Sequence, residues 1–505
     1  MVLAESDLDS LSPEEPDDVL GSDEDFEPNM KNTKRKQGPV PGATLSKRRR
    51  LRAGSSTSSP SLTHTPGASR TPKNSLGPQP EMARTERRKR GSMFEAVRSG
   101  RSALVTVVDD WLDDYKQDRE EGLLELLNFV IECCGCKGIV TREMFDIMQN
   151  ADIISHLTKE FNEDSVGYPL AAGGSQGRRF REGLCEFVFQ LVQRCRNSLL
   201  YDEFVFSALI AFLTGLADSQ VRAFRHTSTL IAMRLMSAIV AVSAVVYAQA
   251  DATQRRYQLE KSKSAAHRAT ERLEELQNSY NQLLEQQEEL GSLMNGIFKG
   301  VFVHRYRDKV PEIRAVCMEE MGVWLRENPT SFLNDGHLKY LGWMLHDKQA
   351  SVRLQCVLSL QKLYEEKSFI GRLELFTSRF KERLLNMVLD KDADVAVEAV
   401  RLLLIIMQKT EDGLSEDECM RVYPLVFAAH RGLASAAGEF LYHVLCTEVD
   451  RLLEEDEKER RNVTFLNLLT CFFIQSKNDN FIIQKGQSCG SQTQSNFCQH
   501  WLLFP

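Results

Sequence analysis

Asp308-Lys309-Val310-Pro311-Glu312-Ile313-Arg314, Asp347-Lys348-Gln349-Ala350-Ser351-Val352-Arg353 and Asp390-Lys391-Asp392-Ala393-Asp394-Val395 are three versions of one phrase. In each, a loop aspartate precedes an Ile or Val that opens an apolar helical stretch. An arginine follows in the first two, and the third is degenerate. An earlier copy reads Asp218-Ser219-Gln220-Val221-Arg222. The later aspartates lie 39 and 43 residues apart, close to the length of a HEAT or armadillo unit. Such a unit is a helix pair that cannot bury its apolar face alone, so units stack into a solenoid. The aspartate is expected to cap the helix start, and the arginine to bond across to the neighbouring repeat.

Working outward, apolar residues recur with helical period from about Met93. Val105, Val108, Trp111 and Leu112 share one face, and Leu123, Leu124, Leu126, Leu127 and Val130 form the next. Long alternating strand patterns are missing, which predicts an all-α body. Between Arg222 and Arg314 the gap is too long for one repeat, and a heptad pattern fills it. Ala269, Leu276, Leu283, Leu290 and Ile297 alternate with Leu273, Tyr280, Gln287 and Met294 as a coiled-coil seam. The seam can dimerise or fold back on the preceding helix. Its short length and Gln287 favour the hairpin. Leu235 to Ala250 is uncharged, but it falls short of the roughly 20 residues of a membrane span and reads as a helix buried on all sides. The expected organisation is a tail over 1–92, a helical domain over 93–250, a coiled-coil segment over 251–300, HEAT-like repeats over 301–476 and a distinct tail over 477–505.

The chain has 505 residues and a net charge of −8, unevenly placed. Residues 1–28 hold eleven acidic side chains and no basic one, whereas 29–92 hold sixteen Lys/Arg against two Glu. Residues 1–92 also contain ten of the fifteen prolines and one aromatic, Phe26, so they are expected to be disordered. Phosphorylation at Ser12, Ser59, Thr65 or Thr71, each followed by Pro, would partly cancel the basic block. The clusters Lys34-Arg35-Lys36, Lys47-Arg48-Arg49-Arg50 and Arg87-Arg88-Lys89-Arg90 suit nuclear import and phosphate neutralisation. Arg101, Arg178-Arg179 and Arg222 to Arg225 would extend a basic path onto the folded body. Twelve Cys in this length is no disulfide scaffold, and the acidic N-terminus is unlike a secretory signal. The 477–505 tail, with Trp501-Leu502-Leu503-Phe504, does not resemble a polar solenoid cap.

Among catalytic motifs, GxxxxGK[ST], GxGxxG after a strand and HExxH do not occur. Cys133-Cys134-Gly135-Cys136 holds one CxxC without a second half-site, and free cysteines at a helix end are the simpler reading. We expect a non-enzyme with no metal, cofactor or small-molecule substrate. One helix stands out for binding. On a helical wheel Trp343 falls nearly opposite Leu338, Leu341 and Leu345, beside Asp335, Lys339 and His346. Trp343 is therefore either covered by the neighbouring repeat or an exposed anchor. Phe380 aligns with Leu373, Phe376 and Leu384, which favours a core position.

At several of these residues the chain resembles the cohesin stromal-antigen (stromalin) family. The resemblance is carried by Phe302-Val303-His304-Arg305-Tyr306-Arg307-Asp308, Leu338-Lys339-Tyr340-Leu341-Gly342-Trp343, Leu373-Glu374-Leu375-Phe376-Thr377-Ser378-Arg379-Phe380-Lys381, and Asp390-Lys391 with Asp394-Val395-Ala396-Val397-Glu398-Ala399. Asp218 through Thr229 and Val107-Val108-Asp109-Asp110-Trp111 add to it, so it extends from about Met93 to Ser476. Pro311 and His430 through Ala437 are most similar to the meiotic member. The resemblance implies a HEAT-like, non-catalytic subunit of the complex that holds sister chromatids together, located in the nucleus and on chromosomes, including the centromere. It implies as partners the kleisin subunit and through it the SMC ring, DNA, and Phe- or Tyr-containing peptides of cohesin regulators. The peptide patch it implies is Tyr306, Asp335, Lys339, Trp343, Arg379 and Phe380, which tips Trp343 toward an exposed anchor and Phe380 away from the core. The similarity fades after Ser476, as expected of a shortened member. A nuclear transport or general HEAT scaffold, its basic tail only an import signal, is the alternative.

Overall fold

The computed structural model describes residues 92–100, 103–161, 167–263, 269–410, 413–452 and 458–483. The 1–91 segment with its basic clusters, Arg101 and the end of the C-terminal tail lie outside the described residues. Among the described residues all regular structure is helical.

The helices are α1 (Leu104–Gln117), α2 (Arg119–Cys133), α3 (Gly174–Cys195), α4 (Val205–Ala217), α5 (Arg222–Lys261), α6 (Thr270–Ile297), α7 (Pro311–Glu327), α8 (Asp335–Met344), α9 (Ala350–Tyr364), α10 (Ile370–Asn386), α11 (Ala393–Lys409), α12 (Arg431–Leu452) and α13 (Lys458–Ile483). Shorter helical turns connect them. Within the unit that begins at Val97, α5, α7, α9, α11 and α12 pack side by side in chain order, while α8 packs on α10 in a second layer. That is the helix-pair stacking expected from the repeat spacing.

The arginine-to-aspartate bonds form a ladder. Arg225 Nε donates to Asp308 at 2.8 Å, Arg314 to both oxygens of Asp347 at 2.7 and 2.8 Å, and Arg353 to both oxygens of Asp390 at 2.8 and 2.6 Å. Each arginine also holds backbone carbonyls of its own loop: Ser219 and Gln220, Asp308 and Lys309, and Asp347 and Lys348 respectively. Each aspartate in turn accepts the amide two residues ahead, from Val310, Gln349 and Asp392. One carboxylate thus shapes its loop and docks the repeat before it. In the earliest copy the arginine of the phrase, Arg222, bonds across to the neighbouring repeat but not to the ladder aspartate. Arg222 pairs with exposed Glu312, and Arg225 makes the ladder bond, because the phrase there begins at Ser219, six residues before Arg225. The residue six positions after Asp390 is Ala396, so the ladder ends there.

α5 and α6 form the hairpin, packing along one another. The expected seam is buried only in its C-terminal half, at Gln287, Leu290, Met294 and Ile297; Leu273, Leu276, Tyr280 and Leu283 are half-buried and Ala269 is exposed. The backbone then runs through a π-helical turn, Phe298–Phe302. The boundaries expected at 250/251 and 300/301 both fall inside continuous helix. The apolar window of α5 has a mean hydropathy of 2.1 and is long enough to cross a membrane, yet 72% of it is buried inside the fold. A buried polar chain ties α5 to α7: Trp324 Nε1 donates to Ser237 Oγ (2.8 Å), whose hydroxyl donates to Glu320 (2.6 Å), with Arg234 Nε 3.0 Å from the other oxygen. Burial pushes the Glu320 carboxyl up, while Arg234 opposes the shift.

Candidate functional site

Asn334 precedes α8, and Asp335 opens its first turn, where the helix dipole favours a carboxylate. Leu338, Leu341 and Leu345 face the core at 0–1% exposure. Trp343, on the other side, is 46% exposed, which resolves its two readings in favour of the surface.

A column of aromatic rings leads to it from the core. Phe302 is fully buried and stacks on Tyr306, with centroids 5.7 Å apart; Tyr306 meets Tyr340 edge-on at 4.9 Å, and Tyr340 meets Trp343 edge-on at 5.5 Å. Lys339 Nζ lies 5.2 Å from the Tyr340 ring and 5.4 Å from the Trp343 ring, a cation held over two π faces. Tyr306 is only 5% exposed. The contact residue expected at that position therefore supports the patch from behind, because the end of the helical segment after the π turn aims its ring inward against Tyr340. The Arg307 guanidinium lies 5.0 Å from the Tyr306 ring.

The second wall comes from α10. Phe380 is half-buried, packs on Phe376 (4.8 Å) and carries Arg379 at 5.9 Å. Its ring lies directly over Gly342: a Cβ there would meet three ring atoms at 2.2 to 2.6 Å. The core position expected for Phe380 from periodicity alone is thus half right. Of the six expected residues, Asp335, Lys339 and Trp343 lie on α8, and Arg379 and Phe380 lie on α10, which packs on α8 with Phe380 seated over Gly342. Sequence reasoning missed Gly342, whose missing side chain seats Phe380. It also missed His337, which is buried, bonded through Nδ1 to Asn334 Oδ1 at 3.0 Å, and edge-on to Phe298 and Phe332. Burial depresses the His337 imidazole to about 4.

The other candidates carry less. Cys133, Cys134 and Cys136 are buried and burial pushes their thiols up, which fits free cysteines. Among the described residues no group of three or more His, Cys, Asp or Glu is arranged to hold a metal. The basic path is interrupted: Arg222 and Arg225 are in ion pairs, while Arg178 and Arg179 are exposed.

Residues 307–381 match the stromalin conservative domain, and residues 166–279 match the STAG domain. Human cohesin subunit SA-3 is 53% identical over 390 residues, which is 76% of this chain and 32% of that protein. The chain belongs to the cohesin stromal-antigen family. Among other stromal-antigen relatives, Xenopus laevis cohesin subunit SA-1 is 50% identical over 391 residues (76% of this chain, 31% of that one). Caenorhabditis elegans cohesin subunit scc-3 is 38% identical over 386 (76% and 35%). The chain therefore spans about a third of the length of these relatives. The structure of cohesin subunit Scc3 from Z. rouxii superposes with a TM-score of 0.66 at 21% identity, covering 81% of this chain and 50% of that one, which supports the helical-repeat fold. Asp335, Lys339, Trp343, Arg379 and Phe380 lie inside the stromalin conservative domain, and Tyr306 lies one residue before it.

Proposed function

We propose that this chain is a non-catalytic adaptor of cohesin that binds the kleisin subunit, DNA and aromatic regulator peptides in support of sister chromatid cohesion and chromosome segregation in meiosis. On this reading it works in the nucleus, on chromosomes including the centromere. The carrying observation is Trp343: a half-exposed indole, flanked by a cation and backed by a continuous aromatic column, inside the stromalin conservative domain. An incoming Phe or Tyr would stack on Trp343 and Phe380, while Asp335, Lys339 and Arg379 meet the polar backbone of the peptide. The rigid column behind keeps the ordering cost of binding low. The 53% identity to SA-3 supports the meiotic assignment. Lys34–Lys36, Lys47–Arg50 and Arg87–Arg90 supply charge for DNA and import.

The test is titration of a Phe-containing regulator peptide and of a kleisin segment against the purified chain. Micromolar or tighter binding of both supports the adaptor. A chain that binds neither, with import lost on removal of 29–92, would instead fit the transport or general-scaffold alternative.

A further inference from the structure

The loops that carry the ladder aspartates also carry lysines. Lys309, Lys348 and Lys391 each directly follow the ladder aspartate, and all three are exposed. The backbones of the first two are held alike: Arg314 Nη1 donates to the carbonyl of Lys309 at 3.3 Å and Arg353 Nη1 to that of Lys348 at 3.1 Å. The same two arginines bind the aspartate of the next loop. Successive loops therefore lie within the reach of one guanidinium, at a step near the helix-packing distance of about 10 Å. In the earliest loop Gln220 takes the equivalent place, its carbonyl accepting from Arg225 at 3.2 Å.

An aspartate beside each lysine would ordinarily cancel its charge. Here Asp308, Asp347 and Asp390 are buried, with side chains 2%, 7% and 6% exposed, and each is matched by a ladder arginine. Among the described residues none of the three lysines is in an ion pair. The other charged groups on this edge divide unevenly. Glu312 pairs with Arg222, and Asp218 with Arg305. Exposed Arg307 extends the row, while Asp392 and Asp394 weaken its far end beside Lys391. A cleft of about 290 Å³ opens at the near end, between Asp218, Ser219 and Gln220 on one side and His304, Arg307 and Lys309 on the other.

We propose that Lys309, Lys348 and Lys391 form a row of phosphate contacts for duplex DNA, built into the repeat itself and separate from the N-terminal basic clusters. This deepens, and rests on, the chromatin reading above. Point charges at a regular step on loops held rigid by the ladder suit a uniform polyanion and read no sequence.

The experiment uses the full chain and a labelled 30-base-pair duplex over a range of salt. In the variant Lys309→Gln/Lys348→Gln/Lys391→Gln the log–log salt slope is expected to become shallower by about 2 to 3, near 0.9 for each phosphate no longer neutralised. Gln220→Lys, which adds a cation at the fourth equivalent loop, is expected to steepen the slope by about 0.9. A triple variant with unchanged slope and affinity would overturn the row while leaving DNA binding through other residues standing. Loss of binding to a labelled polyglutamate chain with duplex binding unchanged would overturn it too, and would assign the row to acidic peptides. A wild-type chain that binds no duplex would remove the DNA part of the proposed function itself.

Discussion

Arg314 grips both carboxylate oxygens of Asp347, 33 residues further along the chain, at 2.7 and 2.8 Å. Neither partner is accessible enough for water to replace the other, since their side chains are 13% and 7% exposed. Replacing Arg314 with Met is expected to strand a buried carboxylate and cost about 3 to 5 kcal/mol. Urea unfolding checks this. The double variant Arg314→Met/Asp347→Leu should recover most of the loss, because an apolar pair leaves no orphaned charge.

The peptide patch gives a second expectation. Trp343→Ala should weaken a Phe-containing peptide by about 2 kcal/mol, roughly thirtyfold, with the melting temperature unchanged. Calorimetric titration and a thermal melt on the same sample separate the two effects. A large fall in melting temperature would mean that the indole holds the fold together and is no binding anchor.

Gly342→Ala tests how the patch is built. The added methyl meets the Phe380 ring at sub-van-der-Waals distance, so Phe380 must swing away. Overpacking of this kind costs about 1 to 3 kcal/mol. Peptide affinity should fall although every side chain that touches the peptide is still present, and Gly342→Ala/Phe380→Leu should restore stability but not affinity.

Acid sensitivity follows from His337. Its imidazole is depressed to about 4 in the fold, against about 6.5 in an unfolded chain. Between those values the unfolded state binds the extra proton. Its contribution to stability is therefore complete above pH 6.5 and is lost as pH falls toward 4. His337→Phe should flatten the dependence of unfolding free energy on pH across that window.

The repeat phrase at Asp308, Asp347 and Asp390 made the stacking legible, because a buried ion pair forces the same residues to recur at the same interval. The first copy is out of register because Asp218 sits one residue ahead of the true loop start. Counting six residues from each ladder aspartate to its arginine, as in Asp308 to Arg314, leads from Ser219 to Arg225. Trp343 was legible only as polar-side or covered, since periodicity describes one helix and not what its neighbour shields. Phe380 settles on Gly342 and leaves Trp343 open, and that choice belongs to the packing of α8 on α10. The inward turn of Tyr306 depends on the geometry that follows the π turn, which no spacing records.

The ladder's end at Ala396 has a mechanical consequence. From Arg225 to Asp390 the repeats are clamped by pairs too shielded for salt to screen. Beyond them α10 itself and the segment before α12 are joined by more exposed pairs, Lys381 with Glu418 and Arg421 with Glu382. Those pairs weaken as ionic strength rises. A pull along the chain would therefore meet a stiff segment followed by a compliant one, with extension beginning past α11 at a force that the surrounding salt sets.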